Sequence, residues 1–544
     1  MVEVQTTGGV GAGLTLTNII FDDGGTHEGT VFAQAVSDGS VGAASNDNLV
    51  YVQDAIIASN ATVTTTITLG DGAVLRNFGG MSAVRATGEA KLVMEPGSVI
   101  EDASSITRSK GDAGSVGPAG AVWLQGSDFE MENGAEIKNV NGRAVYADGG
   151  SVSVGGTISG IIGNPAMWQG KDGTAIHLRG SAKATLNGKI SDCTEGVLVF
   201  VDKAVFEMAT GSFLGNSDAA GIKTNEDPTW SLVNKDDYGT DRNTITIHGE
   251  ISGIKNNKTP IQFKFGTLLI GADSNIHHNS VFYGTLYIQR DAIVDIYGKI
   301  NNNDASSRGG GVATAGHGEV VINMYEGAEV KGNTAVKNGG GIMISSNTSF
   351  TMYGGEISGN VSQTVGGGIY QYKNNSKVEL QGGTIRDNTM NATDVKDSST
   401  GTENDITISN QGNGSSNHYL YISQNTELDN QNVYFQINST TVTPAENSLD
   451  IKLGNASKES VTALSGKADA NGWNAPLATF WAQRDGAAEL TVGGLTFNKA
   501  LPVYALVQET GADGKPVSGA EVRVYSTKIT DDGIRLTLPN GYTN

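Results

Sequence analysis

Cysteine is almost missing from this chain. Cys193 stands alone among 544 residues, so no intramolecular disulfide can staple the fold. Proline is scarce, with 10 residues, and charged residues make up only 17%. Positive charge is the shorter side: 36 Lys and Arg face 57 Asp and Glu, a net charge of −21. Such a chain repels phosphate backbones and anionic lipid surfaces, so a nucleic-acid partner is not expected. No apolar run approaches the roughly 18–20 residues of a membrane helix, so no membrane insertion is expected either. Met1-Val2-Glu3-Val4 has neither a basic nor an apolar leader pattern. If the protein is exported, its signal peptide and its anchor would lie outside this sequence.

Glycine, Asn, Ser and Thr fill the space that charge and apolar residues leave. There are 75 glycines, about twice the usual share of roughly 7%. This mix suits short strands joined by tight turns and not helical bundles, which favour Ala, Leu, Glu and Lys. Internal repetition explains it. Val321–Gly327, Phe350–Ile357 and Val378–Ile385 each hold an alternating strand, a glycine corner and a second short strand. A glycine cluster precedes each one: Gly309–Gly311, Gly339–Gly341 and Gly366–Gly368. Gly383, Gly355, Gly327 and Gly298 follow at steps of 28, 28 and 29 residues, and the series continues through Gly249, Gly211, Gly188, Gly156, Gly134, Gly97 and Gly72. Alternating strands at a drifting period of this size form one solenoid coil per repeat. Coils stack at about the 4.8 Å strand spacing. Glycine recurs where a corner needs a left-handed residue or a backbone without Cβ.

Alternation then assigns the interior. In the strand before the corner, Val321, Ile322 and Met324 are the inward candidates, with the phase open by one residue. After the corner, Ile100, Ile137, Ile158, Ile190, Ile251, Ile276, Ile300, Val330, Ile357 and Ile385 occupy equivalent places and predict an aliphatic stack. Three residues beyond each lies a second column. Its late members are Asn279, Asn303, Asn333, Asn360 and Asn388, which predict a stacked amide ladder. Its early members are Ala103, Val140, Ile161, Cys193 and Ile254, which read as apolar core. Cys193 is then a small buried hydrophobe and not a nucleophile.

Gly366-Gly367-Gly368-Ile369-Tyr370 and Met352-Tyr353-Gly354-Gly355-Glu356-Ile357-Ser358-Gly359-Asn360 resemble the glycine-rich coils of pectin-lyase-like right-handed parallel β-helix proteins. The adhesin-like surface proteins of gut bacteria are the most similar group, and the resemblance spans roughly residues 10–440. It implies an all-β solenoid, carbohydrate or host contact, and a secreted or cell-surface location. Residues 1–445 are therefore expected to be the β-helix, with loop insertions near 106–120, 163–173 and 217–242. Residues 446–544 are expected to be irregular terminal coils and a β-rich cap or small β domain, since solenoid ends need covering.

Chemistry-bearing patterns are few. No GxSxG, HExxH, phosphate loop or CxxC occurs. Asp22-Asp23, Asp236-Asp237 and Asp531-Asp532 sit in apparent turns and read as solvated carboxylates. His277-His278 is the one histidine pair, and on a strand its rings would face opposite ways, so no shared metal is expected. No catalytic residue, metal or cofactor is assigned. Aromatic residues are more informative. Tyr297, Tyr325 and Tyr353 recur at steps of 28, each after an inward residue, so each should face out. With Tyr370 and Tyr372 nearby they could form a flat platform for sugar rings or protein partners, or a self-stacking ladder that stabilises the coils. Trp168 and Trp230 lie in two of the insertions and are further ligand-binding candidates. The expectation is a surface adhesin, monomeric, presenting a solenoid face to host glycan or protein. A polysaccharide lyase or glycoside hydrolase is the alternative, and side-by-side carboxylates with a basic residue in one groove would favour it. A structural stalk without ligand is the third reading.

Overall fold

The computed structural model describes the side chains of residues 13–22, 65–78, 82–103, 120–162, 173–224, 242–316, 318–372 and 376–407, and elsewhere the backbone of further strands. The chain divides into two compact units, Met1–Ile261 and Gln262–Asn544. Each contains coils of a right-handed parallel β-helix, and no α-helix occurs among the described residues. Of the expected insertions, residues 106–119, 163–172 and 225–241 lie outside the described residues.

Three strand stacks build each coil of the first unit. The first wall runs through Val122–Gln125, Arg143–Asp148, Thr174–Arg179, Val197–Asp202 and Ala220–Thr224. The second holds Asp128–Met131, Ser151–Val154, Lys183–Leu186, Val205–Met208 and Asn243–Ile247. The third runs from Ile20–Asp22 and Val74–Arg76 to Glu250–Ile254. The strand Val84–Met94 passes through the first two walls. Pairing between coils is parallel and keeps register. Leu75, Ile100, Ile137, Ile158, Ile190, Leu214 and Ile251 form one continuous column, each fully buried. The expected aliphatic stack is there, with Leu75 and Leu214 as added members. Register is this strict because a one-residue slip would turn every inward side chain to solvent.

The second unit repeats the three walls and adds a short fourth one: Ser280–Tyr283, Asp304–Arg308, Thr334–Ala335, Val361–Ser362 and Thr389–Met390. In its second wall Val320, Ile322 and Met324 are buried, while Val321 faces outward. That corrects the inward placement of Val321: Met324, next to the corner, sets the phase. The triple glycines stack between coils, Gly310 N–H donating to Gly339 O and Gly341 N–H to Gly367 O, so they are corners. Beyond Ser460–Ser465 the described strand pairing turns antiparallel, as in Ala478–Asp485 with Ala487–Val492.

Corners come in two kinds. In one, glycine adopts a conformation closed to most residues, as at Gly134 with φ +93°. In the other the backbone is ordinary, but a Cβ on Gly298 would collide with Ser274 Oγ and Gly271 O of the neighbouring coil. A further bend follows every third-wall strand. The residue two beyond the column aliphatic is left-handed at Asn77, Asp102, Asn139, Gly160, Asp192, Asn216 and Gly253, and again at His278, Asn302, Gly332, Gly359 and Asp387. Asn, Asp and Gly dominate because they tolerate this region.

The next residue begins the second buried column. In the second unit, Asn279 Nδ2 donates to Asn303 Oδ1 (2.9 Å), Asn303 to Asn333 (2.9 Å), Asn333 to Asn360 (3.1 Å) and Asn360 to Asn388 (2.9 Å). Each Oδ1 also accepts the backbone N–H of the preceding asparagine. The Nδ2 of Asn303, Asn333, Asn360 and Asn388 further donates to a third-wall carbonyl, as Asn333 does to Ile300 O. Asp405 Oδ1 accepts from Asn388 at the end of the row. This is the amide ladder expected from sequence. In the first unit Ala103, Val140, Ile161, Cys193 and Ile254 are buried at the same step, joined by Ser217, whose hydroxyl donates to Cys193 O. The Cys193 thiol donates to Ser191 O, and burial pushes its pKa up to about 12.

Candidate functional site

The corner that closes the second wall places one side chain per coil outside. Backbone hydrogen bonds define the position: Tyr297 N–H to Ile270 O, Tyr325 to Ile296 O, Tyr353 to Met324 O and Gln381 to Met352 O. Three of these are the tyrosines expected to share a coil position, and they do. The rings stack face to face: Tyr297 and Tyr325 lie 4.3 Å apart at 3°, Tyr325 and Tyr353 5.3 Å apart at 18°. Stacking decides what the row can offer. Sugars bind aromatic faces, and here each inner face is covered by the next ring. The row is therefore a ladder that shows ring edges and hydroxyls. Tyr297 is 36% and Tyr353 53% exposed.

Polar neighbours complete a strip. One step back along each strand, on the same outward face, stand Asp295, Asn323, Thr351 and Glu379 in register. Asp295 Oδ1 accepts from Asn323 Nδ2 (2.8 Å) and from the Tyr325 hydroxyl (3.3 Å). Desolvation pushes the Tyr325 phenol up to about 12, and the Asp295 charge and Tyr297 add to the rise. A further step back come Ile293, Val321, Ser349 and Lys377, with Ile293 exposed.

Tyr370 and Tyr372 do not join this strip. They belong to the first wall, where Tyr287, Ala313, Met343 and Tyr370 share one outward column. Tyr370 is fully buried against Ala313 and Met343, so it has no surface to give a ligand. The glycine corner also lies close by: a Cβ on Gly366 would collide with Tyr370 Cβ. Tyr372 is partly buried against the same cluster, with the Arg308 guanidinium 5.2 Å above its ring. Trp168 and Trp230 lie outside the described residues, as do Asp23, Asp236-Asp237 and His317. Asp22 is not a free turn carboxylate: it ends a strand and pairs with Arg76 at 2.7 Å.

A second array, whose four rings are buried on the outer side of the first unit's first wall, is absent from the sequence expectations. Arg85, Trp123, Tyr146, His177, Phe200 and Lys223 occupy one first-wall column. Arg85 covers Trp123 at 4.1 Å, and His177 lies 5.0 Å from Tyr146 and 4.8 Å from Phe200. The signal was in the sequence: each ring sits between two aliphatics, as in Val122-Trp123-Leu124 and Ile176-His177-Leu178. Two residues on, Asp148, Arg179 and Asp202 stand side by side on adjacent coils. The hydrogen bond that Arg179 donates to Tyr146, and then the charges of Asp148 and Asp202, raise the Arg179 pKa.

No known family's sequence profile matches the chain, and no curated protein is detectably similar to it. What the arrangement can do therefore rests on its own geometry.

Proposed function

We propose that this chain is a binding module of a bacterial surface protein, presenting the tyrosine strip of its second unit to a glycan or protein on a host surface. One observation carries the reading. Three consecutive coils place tyrosine at a position that the first unit fills with Glu95, Glu132, Gly155, Asn187, Ala209 and His248, each donating its backbone N–H in the same way. The coil has no general need for an aromatic there, so the row is a local addition. Its edges, hydroxyls and the Asp295, Asn323, Thr351 and Glu379 column suit hydrogen bonding to an extended polar ligand. Tyrosine is also common at interface centres, where it supplies area at low entropic cost.

Binding to glycan arrays and to host surface protein, with Tyr297→Phe/Tyr353→Phe as control, tests this. Loss of the two hydroxyls keeps the stack and should weaken capture about tenfold or more. Equal capture by the variant would remove the strip from the reading. The alternative, a polysaccharide lyase or glycoside hydrolase, draws on Asp148, Arg179 and Asp202. Two coils separate the carboxylates by about 10 Å of backbone, close to the span across which inverting glycosidases admit water. New reducing ends from a polysaccharide, lost in Asp148→Asn, would establish it. Silence in every assay would leave a structural stalk.

A further inference from the structure

The residues His277 and His278 have a geometry that strand alternation does not produce. His277 ends a third-wall strand and faces out, opposite in phase to the buried Ile276. His278 occupies the left-handed bend, with φ +52°. That bend swings the second ring to the same side as the first. The two Nδ1 atoms lie 2.7 Å apart, and the rings meet edge to face at 87°. The expectation that the rings face apart is thereby corrected.

From this convergence we propose that His277 and His278 form a two-imidazole site for a divalent transition-metal ion, copper(II) before zinc(II). At present one Nδ1 carries the proton that the other accepts. A metal ion takes the place of that proton. It needs both Nδ1 lone pairs, so the shared proton moves to Nε2 of its own ring through solvent, and no net charge is lost. Metal–imidazole bonds of about 2.0–2.1 Å put two nitrogens roughly 2.9 Å apart in a square-planar cis pair and about 3.3 Å apart at a tetrahedral ion. The first value is reached by a side-chain shift of a few tenths of an ångström. Copper(II) favours that geometry and heads the affinity order of first-row divalent ions.

The surroundings fit an ion held by neutral nitrogen. Asn275, on the same face of the strand, has a buried Oδ1 without a hydrogen-bond donor. Lys299, beside it in the next coil, is paired with Glu329 at 2.7 Å, which offsets its charge. Among the described residues no group of three His, Cys, Asp or Glu converges, so water or a ligand from a partner completes the shell.

The neighbouring coil supplies the control, because it carries Asn301 and Asn302 at the two positions. His277→Asn and His278→Asn therefore copy a backbone that this solenoid already accommodates. Copper(II), zinc(II) and magnesium(II) are titrated into the full chain and both variants by equilibrium dialysis in a non-chelating buffer, and the copper complex is read by electron paramagnetic resonance. The expected result is one copper per chain showing coupling to two nitrogens, zinc bound more weakly and magnesium not at all. Either variant should lose at least tenfold in copper affinity while its melting temperature without metal stays the same. Copper binding of equal strength in both variants, or no binding by the parent chain, overturns the proposal. So does a signal with one nitrogen that survives in the His278→Asn chain.

Discussion

The same bend is built with opposite chemistry in the two units. After the left-handed residue, the first unit buries Val140, Ile161 and Cys193, and the second buries Asn303, Asn333 and Asn360. In both, the residue that follows donates its backbone N–H to the column residue of the preceding coil, Ile162 to Val140 O and Thr334 to Asn303 O. The difference lies in the column residue's own N–H. In the second unit it points at an amide Oδ1. In the first, the Ile161 N–H faces the sulfur of Cys193. The fourth wall accompanies the amide column, since the chain turns there into Asp304–Arg308 and its neighbours. Where the fourth wall is present, side-chain amides satisfy both the column's backbone N–H groups and third-wall carbonyls. A solenoid position is thus set by what the adjoining backbone leaves unpaired, and burial alone does not decide between Asn and Val.

Four measurements break or sharpen this comparison. The largest effect is expected at Cys193. A thiol raised to about 12 is a thiolate roughly a thousandfold less often than an ordinary one near neutral pH. Labelling by a maleimide at pH 7.5 should therefore await unfolding, and rapid labelling of the native chain would contradict the buried column. Next is Asn333→Leu, which strands the Asn303 backbone N–H, one Asn303 Nδ2 proton and the Ile300 carbonyl. Each buried orphan costs about 1–3 kcal/mol, so a loss of about 3 kcal/mol or more is expected in urea unfolding. If Asn333→Leu is no worse than Val140→Ala, the amide column is not structural. The reverse exchange, Val140→Asn, places an amide where no ladder receives it and should cost about 2 kcal/mol. An Asn tolerated there would mean that the two bends are interchangeable.

The smallest effect concerns the other contrast, the tyrosine position. The folded-state pKa of Tyr325 is raised above the ordinary value of 10. Its contribution to stability is thus complete below pH 10 and is lost as pH rises through about 12. Tyr325→Phe should flatten the alkaline fall in melting temperature between pH 9 and 12, and an unchanged slope would show that the phenol is not held by Asp295 and its neighbours.

Much of the coil was legible along the chain. Corner glycines, the aliphatic stack and the amide ladder recur at fixed offsets, so periodicity alone exposes them. The first-wall aromatic column was legible too, as a ring between two aliphatics, but its steps of 23, 31 and 23 residues hid it behind uneven insertions. The tyrosine row was found by spacing, yet spacing is the same for a flat platform and a face-to-face stack. Tyr370 misled for a related reason. It follows a glycine cluster as a surface residue would, and only the folded wall shows that it is buried with Ala313 and Met343.

Sequence by itself determined that this chain winds into parallel coils, which residues form the aliphatic column of the third wall, and where asparagine replaces valine. Those follow from local periodicity and the left-handed tolerance of Gly, Asn and Asp. Tertiary structure alone decided which ring faces remain open, that Asp148, Arg179 and Asp202 stand together, and that His277 and His278 converge. Each depends on the register between coils or on a bend at one residue, and neither the number of residues between two positions nor their hydropathy carries that information.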